Sequence, residues 1–227
     1  MKIGVLLSGS GVYDGAEIHE SVLSMLAITE LGHDYQCISI NKEQHHVVNH
    51  LTGEEMDENR NMMIEAARIA RGNVIEAKDV DLHELDALVI PGGFGSAKNF
   101  TTWAFEGPEG SIQPEVKLLL VNMVNIGKPI AAICVSPVVL AKAFEDSDIK
   151  LNLTLGSTGE GSPYDINGFH SGVESVGAAT AEKTVREVLV DNENKIVTAP
   201  CYMMDATILD IRNNTRQAIE ALVDLVE

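Results

Sequence analysis

The sequence predicts an α/β protein built on a doubly wound, mostly parallel sheet with helices on both faces. Three observations carry that expectation. Short, near-continuous apolar runs at residues 2–8, 87–90 and 130–133 have the composition of strands buried on both faces. Segments of helical periodicity separate them. Each run opens into a turn of small or reactive residues: SGSG after the first, PGGFG after the second and CVSP after the third.

Composition sets the outer limits. With 227 residues, 45% of them hydrophobic, the chain can bury one sizeable core, and a single domain over 1–227 is expected. No apolar run approaches the ~20 residues of a membrane span. The amino-terminal run leads into Ser8-Gly9-Ser10-Gly11 without a signal-cleavage pattern, so a soluble cytoplasmic protein is expected. A formal charge of −18, from 16 basic against 34 acidic residues, argues against nucleic acid as a partner. Cys37, Cys134 and Cys201 are widely spaced and form no C-x-x-C pair, which suggests reduced thiols and neither a disulfide framework nor a metal site.

In chain order, the strand at 2–8 is followed by a glycine turn that lacks the G-x-G-x-x-G order of a dinucleotide fingerprint. From Asp14, a plausible N-cap with Glu17 three residues on, Ile18, Val22, Met25, Leu26 and Leu31 recur at helical spacing, and Gly32 supplies the stop. Residues 35–40 form a second strand, placing Cys37 in the core. His45, His46 and His50 lie close together, but no ordered Cys or carboxylate spacing accompanies them, so a surface excursion flanking the pocket is the reading. Residues 61–70 and 114–125 read as helices, 103–111 as an irregular acidic loop, 146–155 as carrying a strand and 156–172 as a long glycine-rich loop holding His170. A hairpin around 192–194 and an amphipathic helix over 205–226 close the chain. This order is flavodoxin-like.

The candidate chemistry gathers at the carboxyl edge of the sheet. PIAAICVSP (129–137) reads as strand, sharp turn and helix with Cys134 at the turn, where a helix amino terminus favours the nucleophilic thiolate. The glycine turn at 91–95 exposes backbone N–H groups that can serve as an oxyanion hole. Glu17 and Glu20 share one side of the first helix, which begins at the same edge; a carboxyl beside the sulfur, partly buried, can shuttle a proton. His19 points about 100° away from its neighbour Glu20. His170 is a further candidate acid/base.

Several segments together resemble the ElbB branch (sigma cross-reacting protein, isoprenoid-biosynthesis glyoxalase) of the PfpI-like, class I glutamine amidotransferase-like superfamily. They are DGAEIHE (14–20), NHLTGE (49–54), NRNMMIEAARIARG (59–72), LDALVIPGGFGSAKN (85–99), GKPIAAICVSP (127–137) and NKIVTAPCYM (194–203). The likeness covers nearly the whole chain in collinear order and fits least well over 156–172. It implies that Cys134 is the elbow nucleophile, with Gly92, Gly93 and Val135 contributing the oxyanion and substrate-binding backbone. It places the cysteine's glutamate at Glu20, with Glu17 still open, and a homodimer is expected by the same analogy. Val135 stands where amidotransferases and proteases of the superfamily carry a histidine, which counts against their chemistry. The implied activity is a cofactor-independent glyoxalase of the glyoxalase III type acting on a small aldehyde. The alternatives are a redox-sensing or metabolite-binding protein and a cysteine hydrolase using His170.

Overall fold

The computed structural model describes residues 1–226. In chain order the strands are β1 (Lys2–Leu6), β2 (Asp34–Ser39), β3 (Val47–Val48), β4 (Glu55–Met56), β5 (Val74–Glu76), β6 (Ala87–Ile90), β7 (Ile130–Ile133), β8 (Asn152–Leu153), β9 (Ala179–Thr180), β10 (Leu189–Asp191) and β11 (Ile196–Ala199). The helices are α1 (Ile18–Glu30), α2 (Met62–Ile69), α3 (Trp103–Glu106), α4 (Pro114–Asn125), α5 (Pro137–Phe144), α6 (Ile166–Ser175) and α7 (Ile208–Asp224). Seven strands form one sheet in the order β10-β11-β7-β6-β1-β2-β5, parallel throughout except for the β10–β11 hairpin. The chain winds outward from β1 through β2 to β5, then returns to β6 on the other side of β1 and continues through β7 to β11. This is the doubly wound, flavodoxin-like arrangement, and its ligand crevice lies past the carboxyl ends of the strands near that reversal.

Burial explains the apolar runs. Every residue of β6, β7 and β11 is buried, because α1 and α7 pack together on the sheet while α4 and α5 pair elsewhere against it. Gly4 in β1 leaves room for side chains from both neighbours: a Cβ there would meet Leu88 Cδ1 at 2.7 Å and Ile38 Cδ1 at 2.9 Å.

Four local expectations are corrected. Glu17, not Asp14, caps α1, with its Oε2 accepting the Glu20 N–H at 2.7 Å; Asp14 is buried and accepts from the Val48 N–H instead. The apolar row Ile18, Val22 and Leu26 is 46%, 45% and 44% exposed, whereas Ser21 and Ser24 are buried. The two serines can be buried because their hydroxyls are satisfied by the Glu17 and Glu20 carbonyls one turn back. The third concerns 103–111, read as an irregular loop, whose first turn is the short helix α3; the edge strand β5 was not anticipated at all, its three half-buried residues being too few to show a period. The fourth concerns His170, which belongs to α6: Asp165 caps that helix through the Gly168 N–H, so the supposed loop is half helical. Pairing in the 146–155 segment shrinks to β8 against β9.

Because the Leu88 and Ile38 methyl groups already occupy the space above Gly4, Gly4→Ala is expected to cost about 1–3 kcal/mol of stability through overpacking, measurable by urea unfolding.

Candidate active site

Three adjacent parallel strands deliver the site. β6 ends at Ile90 and runs into Pro91-Gly92-Gly93; β7 ends at Ile133, just before Cys134; β11 ends at Ala199, just before the turn Cys201–Met203. Hydrogen bonding binds these exits together. The Cys134 N–H donates to the Ala199 carbonyl at 2.8 Å, continuing the ladder one residue past the strand. Ser136 donates its hydroxyl hydrogen to the Pro91 carbonyl at 2.7 Å, and its oxygen lies 2.8 Å from that of Ser96. Cys134 itself takes φ of 59°, a left-handed conformation rare for a residue with a side chain, and α5 starts at Pro137 immediately afterwards. The sharp reversal lifts the sulfur off the strand end toward the crevice.

Glu20 is the glutamate that meets it. Its Oε2 accepts the Gly92 N–H at 2.9 Å and its Oε1 the Tyr202 N–H at 3.3 Å, so the carboxyl is clamped between the β6 and β11 exits. A Cβ on Gly92 would stand 2.5 Å from Glu20 Oε2 and 2.8 Å from Cys134 Sγ. Gly92 is therefore the spacer across which the carboxyl and the sulfur come together, and no larger residue fits. Glu17 lies alongside: its main-chain N–H donates to the Gly92 carbonyl at 2.8 Å, while its own carboxylate is taken up by the helix cap.

Electrostatics follow from burial. Glu20 is fully buried, and desolvation followed by the neighbouring Glu17 charge pushes its carboxyl up to about 8. Desolvation and then the Glu20 charge drive the Cys134 thiol well above its ordinary range, against the single favourable pull of the Gly93 N–H. The expectation of a free thiolate at the helix start is thus corrected. At neutral pH both partners hold their protons, and the sulfur ionises only when a base takes its hydrogen.

The other expected residues separate. Gly93, at φ of 97°, turns its N–H toward the sulfur, and Gly93 and Val135 both line the pocket. Gly92 corrects its expected part in an oxyanion hole, because its N–H is already committed to Glu20. His170 is corrected as a partner of the cysteine: its Nε2 accepts from the Leu155 N–H at 3.3 Å, it does not line the pocket, and its burial lowers its basicity. His19 places Nδ1 2.9 Å from the Tyr202 hydroxyl at the mouth. His46 and His50 are engaged by Lys98 and by the Tyr13 N–H, and no cluster of three metal-binding side chains exists among the described residues. Cys37 packs in the core, where burial raises it to about 11.

Sequence reasoning missed the walls. Val12, Phe94, Tyr164, Phe169, Tyr202 and Met203 surround the sulfur in a narrow, largely apolar pocket that opens to solvent. The only signal available was position: five of the six lie after the β6 and β11 exits or in the 156–172 segment.

A profile of the DJ-1/PfpI family matches residues 11–145, more than half the chain and all of the strand-exit machinery except β11. The chain belongs to the DJ-1/PfpI family. Among its relatives is the human mitochondrial glutamine amidotransferase-like class 1 domain-containing protein 3, 33% identical over 99% of this chain and 83% of that one. The rat mitochondrial ES1 protein homolog is 33% identical over 99% and 84%. A solved isoprenoid biosynthesis protein with an amidotransferase-like domain from Ehrlichia chaffeensis superposes with a TM-score of 0.90 at 32% identity, covering 100% of both chains. Drosophila melanogaster DJ-1beta, at 17% identity and a TM-score of 0.54, shares the DJ-1/PfpI fold.

The folded chain holds the Glu20 proton up to about pH 8, whereas an unfolded glutamate releases it near 4.5. The raised value makes this contribution to stability complete below 4.5 and progressively lost as the pH climbs to about 8. Thermal unfolding of Glu20→Gln across that window is expected to give a flatter fall of Tm with pH than the parent protein does.

Proposed function

We propose that the protein is a cofactor-independent glyoxalase of the glyoxalase III type, converting glyoxal or methylglyoxal to glycolate or lactate. One observation carries the reading: a cysteine sulfur and a carboxyl raised to about 8 face each other across Gly92, with a backbone N–H on the sulfur and no histidine in the pocket among the described residues. A carboxyl with that affinity is matched to taking and returning protons near neutral pH. Membership of the DJ-1/PfpI family, which contains cysteine-dependent enzymes, supports the same reading.

Ionised Glu20 removes the Cys134 proton as the sulfur attacks the aldehyde carbon. A C–S bond forms, and the aldehyde oxygen, beside the Gly93 N–H, takes a proton to give a hemithioacetal. Glu20 then moves the hydrogen of that carbon to the adjacent carbonyl carbon through an enediol, leaving a 2-hydroxyacyl thioester. Water cleaves the thioester, restoring the thiol and releasing the hydroxy acid. No leaving amine has to be protonated, so the missing histidine costs nothing here, whereas an amidotransferase or peptidase needs it. The redox-sensing alternative is less well supported, because oxidant sensing needs an accessible, acidic thiol and Cys134 is 6% exposed and raised by burial. Three free cysteines suit a reducing compartment such as the cytoplasm; the mammalian relatives carry "mitochondrial" in their names. No helix among the described residues is long and apolar enough to cross a membrane.

The homodimer is proposed on the exposed row Ile18, Val22 and Leu26, one helical turn apart along α1, which a second copy related by a two-fold axis would cover.

Purified protein is expected to consume methylglyoxal without glutathione or metal, with kcat/KM rising toward about pH 8 and levelling above it as Glu20 ionises. Cys134→Ala and Glu20→Gln are expected to abolish turnover; full activity in Cys134→Ala would overturn the assignment. For the dimer, Leu26→Glu is expected to halve the mass seen by light scattering while leaving the thermal transition of the fold intact.

A further inference from the structure

A 2-oxoaldehyde brings two oxygens into the pocket, and the proposed chemistry accounts for a partner to only one of them. The aldehyde oxygen is assigned the two backbone donors that line the pocket, at Gly93 and Val135. The ketone oxygen, which gathers negative charge as the enediol forms, needs a donor of its own. Among the residues lining the pocket only Cys134, Tyr164 and Tyr202 carry polar side-chain atoms. The Tyr202 hydroxyl is engaged by His19 at 2.9 Å. The Tyr164 hydroxyl has no hydrogen-bond partner among the described residues.

From this geometry we propose that Tyr164 is a further catalytic residue, its hydroxyl donating to the second carbonyl oxygen, so that the pocket selects vicinal dicarbonyls over simple aldehydes. The proposal deepens, and rests on, the glyoxalase reading.

Tyr164 is held for such a task. Its N–H donates to Ser162 Oγ at 3.0 Å, and the Ser162 hydroxyl in turn donates to the Met203 carbonyl at 2.6 Å. One serine therefore ties the Tyr164 backbone to the main chain of Met203, another residue that lines the pocket. The ring packs edge-on against Phe94 at 5.8 Å between centroids and an interplanar angle of 72°, which limits its swing. Burial, and then the nearby Cys134 and Glu20 charges, raise the phenol to about 12, so it keeps its hydrogen throughout the range in which Glu20 titrates. The residue also lies past residue 145, outside the part of the chain that the family profile matches.

The experiment compares wild type, Tyr164→Phe and Ser162→Ala in two assays. The first is turnover of methylglyoxal. The second is protection of Cys134 from iodoacetamide, read by intact mass, in the presence of methylglyoxal or of propanal, which lacks the second carbonyl. Tyr164→Phe is expected to lose about 10²-fold in kcat. Its preference for methylglyoxal over propanal in protection is expected to shrink about tenfold, with the unprotected alkylation rate and propanal protection unchanged. Ser162→Ala is expected to fall between the two. If wild type turns methylglyoxal over and Tyr164→Phe matches it in both assays, the Tyr164 proposal fails and the glyoxalase reading stands. If wild type is inert yet Tyr164→Phe still narrows the protection ratio, the glyoxalase reading fails and the recognition of a second carbonyl stands. Equal protection by methylglyoxal and propanal in wild type overturns the proposal.

Discussion

The site depends on the absence of a side chain at Gly92. A carboxyl from the first helix and a sulfur from the fifth helix's start approach the same α-carbon from two directions, and a methyl group there would fall 2.5 Å from one and 2.8 Å from the other. Everything else holds that approach in register. The Gly92 N–H fixes Glu20, the Gly92 carbonyl fixes the start of α1 through the Glu17 N–H, and the Pro91 carbonyl fixes the elbow through Ser136. Three consecutive-in-space strand ends are thus cross-tied by hydrogen bonds that run between loops, where a sheet ladder could not reach. The left-handed backbone at Cys134 is the strain such a network has to over-determine.

Two physical effects compete at the sulfur, and their order decides the chemistry. A helix amino terminus stabilises an anion by about 0.3–1 kcal/mol at an exposed position, and up to about 2 in partly buried geometry. Desolvating a buried charge in the absence of a fixed cation is the larger effect. Among the described residues no Lys, Arg or His lines the pocket to offset it. The result is a thiol that stays protonated until Glu20 takes its hydrogen, which places the control of reactivity in the carboxyl. A carboxyl clamped by two backbone N–H groups can return the same proton to a carbon a bond away, where mobile water would scramble it.

Much of this was legible in the residues, for identifiable reasons. Pro114–Asn125 and Pro137–Phe144 match the segments read as helices because a proline at the first turn marks each start unambiguously. Cys134 and Gly93 stood out because strand-to-turn transitions broadcast the sheet's carboxyl edge. The face of α1 did not, since hydrophobicity points to Ile18, Val22 and Leu26 while the buried side includes Ser21 and Ser24, whose hydroxyls pair with their own helix. His170 misled for a related reason: α6 carries Gly168 and Gly172, residues that dilute helical pattern, and its stability comes from the Asp165 cap and from burying Ile166 and Val173. The pocket walls were illegible altogether, because aromatic side chains from 94, 164, 169 and 202 converge only once β6, β11 and α6 are assembled.

The two halves of the site are therefore built on different terms. Glu20, Gly92, Gly93 and Cys134 all fall within residues 11–145 and are locked by backbone hydrogen bonds, which any sequence can supply so long as glycine stands where the atoms crowd. Tyr164, Phe169, Tyr202 and Met203 come from the last third of the chain, and what they contribute is side-chain shape and one unpaired hydroxyl. A proton-transfer centre fixed by main-chain geometry tolerates change in the walls around it, because Glu20 keeps its two N–H donors only through the positions of β6 and β11, and the wall side chains do not set those positions. Reactivity and selectivity can then vary separately, and for this chain the second is a question about the segment between β8 and α6.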